Sequence, residues 1–99
     1  MATDIDDLTV DYMEDGQLVS KQLDKVVLSK GAWSTIIFKY QDWNRQKEEY
    51  GPPKYSIRRF QKRNGEYQYK SKFNISSPIQ ARKIVEALEN WLVDDEKKD

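Results

Sequence analysis

Asn64-Gly65 divides residues 54–75 into two alternating segments, KYSIRRFQKR and EYQYKSKFNI. An Asn-Gly pair between two alternating runs is typical of a β-hairpin, because both residues tolerate the positive φ angles of a tight turn. So long a hairpin constrains a chain of 99 residues strongly, since the other elements must pack around it. The hairpin also carries seven Lys and Arg, five aromatic residues and one acid.

The loop type decides which hairpin residues share a face, because a shift of one residue exchanges the two faces. A two-residue Asn-Gly turn places Ile57 opposite Lys72 and mixes apolar with charged side chains. We therefore predict a three-residue loop over 63–65, which pairs Arg58 with Lys70. This register gives an apolar face, directed at the helix, of Tyr55, Ile57, Phe73 and Ile75. It gives a basic face of Lys54, Arg58, Phe60, Lys62, Lys70 and Lys72.

Two further strands precede the hairpin. The first is predicted over about 17–29 and ends at Lys30-Gly31, and the second, rich in β-branched and aromatic residues, is predicted from 33 to about 42. A polar loop over 44–53 leads into the hairpin. The chain should therefore contain four antiparallel strands.

A helix follows the strands. Ser77 is the expected N-cap, Pro78 occupies the first helical position, and Gln80 completes a capping signature. The apolar side of this helix consists of Ala81, Ile84, Val85, Leu88, Trp91 and Leu92. The predicted fold class is α+β, a four-stranded antiparallel sheet with one C-terminal α-helix covering one face. Because Trp91 and Leu92 would stay poorly covered, we expect a homodimer.

Composition excludes several classes of protein. The sequence has no Cys and no His, which removes disulfides, thiolate metal sites, the commonest zinc ligand and the commonest general base. We therefore expect no enzyme activity, no catalytic residues, no cofactor and no metal site. No apolar run approaches the length of a membrane span. We expect a soluble, cytoplasmic protein without a membrane partner, associated with the nucleoid if the source is bacterial.

Charge is distributed unevenly, although the net charge is zero. Residues 1–15 carry six acids and no base, residues 16–72 carry thirteen Lys and Arg against five acids, and residues 73–99 have a net charge of −2. A basic body between acidic ends suits a polyanionic ligand. We expect 1–15 to be a disordered acidic tail that competes with this ligand, and 94–99 to be a charged tail.

Cations interleaved with rings suit single-stranded nucleic acid, because cations follow its backbone and rings stack on its bases. Ile36, Phe38 and Tyr40 share one side of their strand, which we expect to face the core. Trp33, Lys39 and Trp43 share the other side and would extend the basic hairpin face. We predict that residues 16–93 bind single-stranded DNA or RNA without strict sequence preference. The alternative is a protein interaction domain that recruits an acidic partner through the same face.

The runs Pro53-Lys54-Tyr55-Ser56-Ile57-Arg58 and Ser71-Lys72-Phe73-Asn74-Ile75-Ser76, followed by a capped helix, resemble the transcriptional-coactivator family of positive cofactor four. The small bacterial members are the most similar, and the family is related in architecture to the Whirly proteins. The resemblance covers about residues 20–93. It implies a curved four-stranded sheet and one helix, a homodimer that binds single-stranded DNA, and a role in transcription, replication or repair, with transcription or replication proteins as partners. It assigns DNA contacts to Arg58 and Lys72 and a stacking role to Phe60.

Overall fold

Four long strands and two short ones form an antiparallel, curled sheet in the computed structural model, which describes residues 4–96. The strands are β1 (Tyr12–Glu14), β2 (Gln17–Ser29), β3 (Trp33–Asn44), β4 (Glu49–Tyr50), β5 (Lys54–Arg63) and β6 (Glu66–Ile75). Their order is β1-β2-β3-β5-β6, and β4 pairs with the end of β3. A single helix, α1 (Pro78–Asp95), follows. The α+β class and the C-terminal helix are confirmed, whereas the expected strand number of four omits β1 and β4.

The turn between β5 and β6 has two residues rather than the predicted three. Arg63 pairs with Glu66, and only Asn64 and Gly65 lie between them. Both turn residues have positive φ angles, 52° at Asn64 and 79° at Gly65. These are the angles that a type I′ turn requires, and its twist matches that of the flanking strands. The prediction of a three-residue loop is therefore wrong.

A β-bulge in β6 then changes the register. Phe60 lies opposite Tyr69, but the preceding residue, Arg59, lies opposite Ser71, so Lys70 has no partner. An extra residue on one strand shifts all later pairs by one position. The bulge therefore resolves the mixing of faces that a regular two-residue hairpin would have produced.

Beyond the bulge, side chains of like character lie opposite each other. Ile57 faces Phe73, and Arg58 faces Lys72 instead of the predicted Lys70. Ile57 and Phe73 thus share one face and Arg58 and Lys72 share the other, as the sequence suggested, but through different pairs. The predicted pairing of Arg58 with Lys70 is wrong because sequence reasoning did not include the bulge.

The hydrophobic core lies on one face of the sheet, which we call the inner face. Its buried members on the strands are Ile36, Phe38, Tyr40, Phe60 and Tyr67. The prediction that alternate residues of β3 face the core is confirmed. On β5, however, the core residue is Phe60, whereas Tyr55 and Ile57 are only half-buried on the opposite, outer face. The predicted directions of the two faces of β5 are therefore reversed.

Residues 4–11, which we call the N-terminal strap, lie against the inner face. Ile5, Leu8 and Val10 are buried in the same cluster as Phe38 and Phe60. A short 3₁₀ helix (Ile5–Asp7) shapes the beginning of the strap. The expectation of a disordered tail over 1–15 does not describe this segment, because three apolar side chains find a sheet on which to pack. Residues 1–3 of that tail lie outside the described residues.

Helix α1 begins as the sequence predicts. The Ser77 hydroxyl accepts a hydrogen bond from the Gln80 backbone N–H at 3.2 Å, and Pro78 is the first helical residue. The Gln80 side chain in turn accepts from the Ser76 N–H at 2.9 Å. The helix extends to Asp95, so the predicted boundary of the charged tail at 94 lies within it, and residues 97–99 lie outside the described residues.

The helix does not cover a sheet face. It contacts β6, but none of its residues is buried, and Leu88, Trp91 and Leu92 are all exposed. The structure measures only 17 Å along its shortest axis, and its radius of gyration is 16.0 Å. A typical compact domain of this length has a radius of about 13 Å. The prediction that the helix covers one face of the sheet is therefore wrong.

Within residues 4–96, no helix has the length and apolar character needed to cross a membrane.

Phe60→Ala should lower the free energy of unfolding by about 3–5 kcal/mol, because it leaves a cavity beneath the strap. Tyr69→Ala is the matched control, since Tyr69 lies opposite Phe60 but is 52% exposed. Its cost should stay within about 1 kcal/mol. Chemical denaturation of both variants measures this difference. Equal stability of Phe60→Ala and the wild type would contradict the assignment of Phe60 to the core.

Candidate nucleic-acid interface

An open group of cations and a ring lies on the inner face of the β5–β6 hairpin. Arg58 and Lys72 are direct cross-strand partners, and Tyr69 lies beside them with about half of its surface exposed. The Arg58 guanidinium carbon is 5.6 Å from the centre of the Tyr69 ring, within the range of a cation–π interaction. With Lys62 nearer the turn, these residues form what we call the hairpin patch: Arg58, Lys62, Tyr69 and Lys72.

A buried hydroxyl group, that of Ser56, orients Arg58. Its Nε donates to the Ser56 hydroxyl at 3.3 Å, and that hydroxyl donates to the Asn74 side-chain oxygen at 2.7 Å. Ser56 is fully buried and Asn74 lies directly opposite it. Because Nε is held from within the sheet, the terminal nitrogens of the guanidinium remain available for an anionic ligand.

Lys62 continues the patch toward the turn. It lies opposite Tyr67, and its Nζ is 5.3 Å from the centre of the Tyr67 ring. Tyr67 itself is buried in the core. Lys70, the unpaired residue of the bulge, is exposed on the same strand as Lys72. Cations therefore lie along much of the hairpin, although like charges on adjacent strands repel each other.

Phe60 does not occupy the exposed position predicted for it. Its side chain is only 6% exposed and lies next to that of Tyr69 on the adjacent strand, with ring centres 6.1 Å apart and planes inclined by 55°. Tyr69 is thus the exposed ring at this point of the hairpin, and sequence reasoning missed it. The signal was the Asn64-Gly65 turn, since a two-residue turn places Tyr69 opposite Phe60.

Lys54 differs from the other predicted cations because it has an acidic partner. Its Nζ lies 3.0 Å from one carboxylate oxygen of Asp42, and the other oxygen accepts from the Ser20 hydroxyl at 3.1 Å. The hydrogen bond to Asp42 raises the pKa of Lys54 above its usual range, so Lys54 is protonated at neutral pH. Its charge is largely balanced, and Lys54 contributes less to an anion site than Arg58 does.

Trp33 and Lys39 lie on the outer face. They pair with Gln61 and Tyr55, respectively, whereas Arg58 points to the opposite side of β5. The Arg59 guanidinium carbon lies 4.6 Å from the centre of the Trp33 ring, which the sequence analysis did not foresee. The structure therefore does not bring Trp33 and Lys39 together with the hairpin patch.

Trp43 belongs to a separate cluster at the other end of β3. Its ring meets that of Tyr50 edge-on, with centres 5.0 Å apart, and Lys21 Nζ lies 5.1 Å from the centre of the Tyr50 ring. The Tyr50 hydroxyl donates to the Leu18 carbonyl at 2.8 Å. These contacts join β4 to β2 and β3, so Trp43 has a clear structural role.

The described residues contain no group of three or more His, Cys, Asp or Glu that could hold a metal ion. Comparisons of the chain with protein-family models, curated proteins and solved structures gave no match. We therefore infer a function from the geometry of the hairpin patch and from the sequence.

Proposed function

We propose that this chain is a non-enzymatic module that binds single-stranded nucleic acid through the hairpin patch. The observation that carries the proposal is the direct pairing of Arg58 with Lys72 beside the exposed ring of Tyr69. Two cations on adjacent strands repel each other, and a bound polyanion relieves that repulsion. The module would act in the cytoplasm, at the nucleoid if the source is bacterial, in transcription, replication or repair.

A single strand fits this arrangement better than a duplex. An exposed ring can stack on an unpaired base, while neighbouring cations contact the phosphates. Proteins that recognise the sequence of duplex DNA more often place a basic helix in the major groove. Helix α1 carries only Arg82 and Lys83 as cations and is therefore poorly suited to that role.

The resemblance to the positive cofactor four family is part of this proposal. It is supported by the order of the elements, because the long antiparallel strands precede a capped C-terminal helix. It is also supported by the position of Arg58 and Lys72, the two residues that the resemblance assigns to DNA contact, opposite each other on one face. Tyr69 replaces Phe60 as the residue to which we assign stacking.

The proposal includes a homodimer formed through the outer face. Val26, Ile37, Ile57 and Phe73 are consecutive cross-strand partners and form one apolar row across four strands. Val26 and Phe73, at the ends of the row, are 55% and 54% exposed. Apolar rows of this kind mark interaction surfaces. A second copy supplies a matching row and an uncovered helix bearing Trp91, which gives a self-complementary contact.

An acidic protein is the second candidate ligand for the inner face. The specific observation in its favour is the strap, an acidic segment of polypeptide that already packs on this face. Titration of labelled oligo-dT separates the two candidates. Tight, stoichiometric binding supports nucleic acid, whereas binding of an acidic polypeptide without binding of oligo-dT supports the alternative.

Removing a patch cation should weaken the salt dependence of oligo-dT binding. Each phosphate contact contributes about −0.7 to the slope of log affinity against log salt. Lys72→Ala should therefore flatten the slope by about 0.7. Lys39→Ala makes the same charge change on the outer face and should leave the slope unchanged. Equal slopes for the two variants would contradict the location of the site.

Removing the exposed ring should act differently. Tyr69→Ala takes away a stacking surface but no charge, so affinity should fall by about 1–3 kcal/mol while the salt slope is retained. Trp33→Ala removes an exposed ring from the outer face and provides the control. Fluorescence anisotropy at several salt concentrations measures both quantities. Wild-type affinity of Tyr69→Ala would show that Tyr69 does not stack on a base.

A charge placed in the outer row should dissociate the dimer. Phe73→Asp introduces a carboxylate where the second copy packs, and because Phe73 is exposed in one chain, the monomer should still fold. Tyr69→Asp places the same charge on the inner face of the same strand and should leave the dimer intact. Sedimentation at tens of micromolar tests both variants. A monomeric wild type would refute the dimer.

A further inference from the structure

The strap covers more than apolar surface. Ile5, Leu8 and Val10 are buried against rings of the inner face, among them Phe38 and Phe60. Phe60 lies directly opposite Tyr69 of the hairpin patch, with the two ring centres 6.1 Å apart. The strap and the patch are therefore neighbours on one continuous surface, and the strap covers the part that is richest in rings.

The strap also forms hydrogen bonds with a cation of the sheet. Lys25 lies on the inner face opposite Phe38. Its Nζ donates to the carbonyl oxygens of Ile5, Asp6 and Leu8, at 3.1, 2.8 and 2.8 Å. An ammonium group has three donors, so the strap uses all of them. No carboxylate is needed for this contact, because the oxygens belong to the backbone.

A small number of polar contacts completes the attachment. The Gln22 side-chain oxygen accepts from the Val10 N–H at 3.2 Å and from the Thr9 hydroxyl at 2.7 Å. Asp4 and Ile5 line an open cavity with Lys62 of the patch, which brings the beginning of the strap to the edge of the proposed site. A segment with few anchors can open locally without unfolding of the sheet.

We infer that the strap is a displaceable cover that regulates the site, an inference that rests on the proposed binding of single-stranded nucleic acid. Release of the strap frees Lys25 for a phosphate and uncovers the rings of Phe38 and Phe60 for bases. The surface then extends from the hairpin patch across β3 to β2. The strap acts through its apolar anchors, Lys25 and its contacts with Gln22, where the Asp11 carboxylate accepts from the backbone N–H at 2.6 Å. It does not depend on the charges of Asp4, Asp6 and Asp7.

The test compares two variants of the full chain in oligo-dT titrations at about 0.3 M salt, where exposed charges are largely screened. Ile5→Ser/Leu8→Ser removes two anchors and keeps every charge. It should bind at least about threefold more tightly than the wild type, and about tenfold if the strap is closed nine-tenths of the time. Asp4→Asn/Asp6→Asn/Asp7→Asn removes three charges, keeps the anchors and should bind like the wild type.

A second readout follows the strap itself. The Val10 N–H is bonded to Gln22, so its hydrogen exchange should be slow in the free wild type and faster in the complex with oligo-dT. Melting curves verify that the variants fold. If Ile5→Ser/Leu8→Ser does not fold, Gln22→Ala loosens the strap without touching the core and should tighten binding by a smaller factor.

The outcomes separate this inference from the proposed function. Equal affinity of the wild type and the loosened variant, with Val10 still protected in the complex, overturns the strap inference and leaves the binding proposal standing. Tighter binding by the three-asparagine variant alone also overturns the strap inference, because the charge of the strap would then be what weakens binding in the wild type. Failure of every variant to bind oligo-dT refutes the proposed function and the strap inference with it.

Discussion

The β-bulge at Lys70 determines which side chains of the hairpin share a face. Asn64-Gly65 fixes the pairing near the turn, and without an extra residue Ile57 would lie opposite Lys72. The bulge moves Lys72 opposite Arg58 instead. Arg58 and Lys72 thereby share the inner face, and Ile57 and Phe73 share the outer face. Both the hairpin patch and the apolar row depend on this single unpaired residue.

The two faces of the thin sheet differ in what covers them. The inner face is partly covered by the strap, which leaves Tyr69 and its neighbouring cations open at the hairpin. The outer face carries an apolar row without cover, next to a helix whose apolar side is also exposed. One helix cannot cover that area, and the proposed second copy would bury the exposed apolar side chains. The two proposed interactions then use opposite faces and do not compete.

Local signals predicted the elements well. The capping residues gave the start of α1, and the alternation in β3 identified the core side of Ile36 and Phe38. The bulge was not predictable in the same way, since Lys70 carries no residue signature that distinguishes it from its neighbours. Phe60 was assigned an exposed position for a different reason, because the core side of β5 was expected at Tyr55 and Ile57, whereas it is the side of Phe60. The strap was missed because its acidic composition is typical of disorder, whereas its packing depends on a surface formed by distant strands.

We expect single-stranded nucleic acid to bind to the inner face of the sheet and not to the outer face. A nuclear magnetic resonance titration of the labelled full chain with oligo-dT tests it most directly. We expect shift changes to concentrate on Arg58, Tyr69 and Lys72 and to extend to the strap, while the resonances of Val26 and Ile37 remain unchanged. Shift changes confined to the outer face, or none at saturating oligonucleotide, would contradict it.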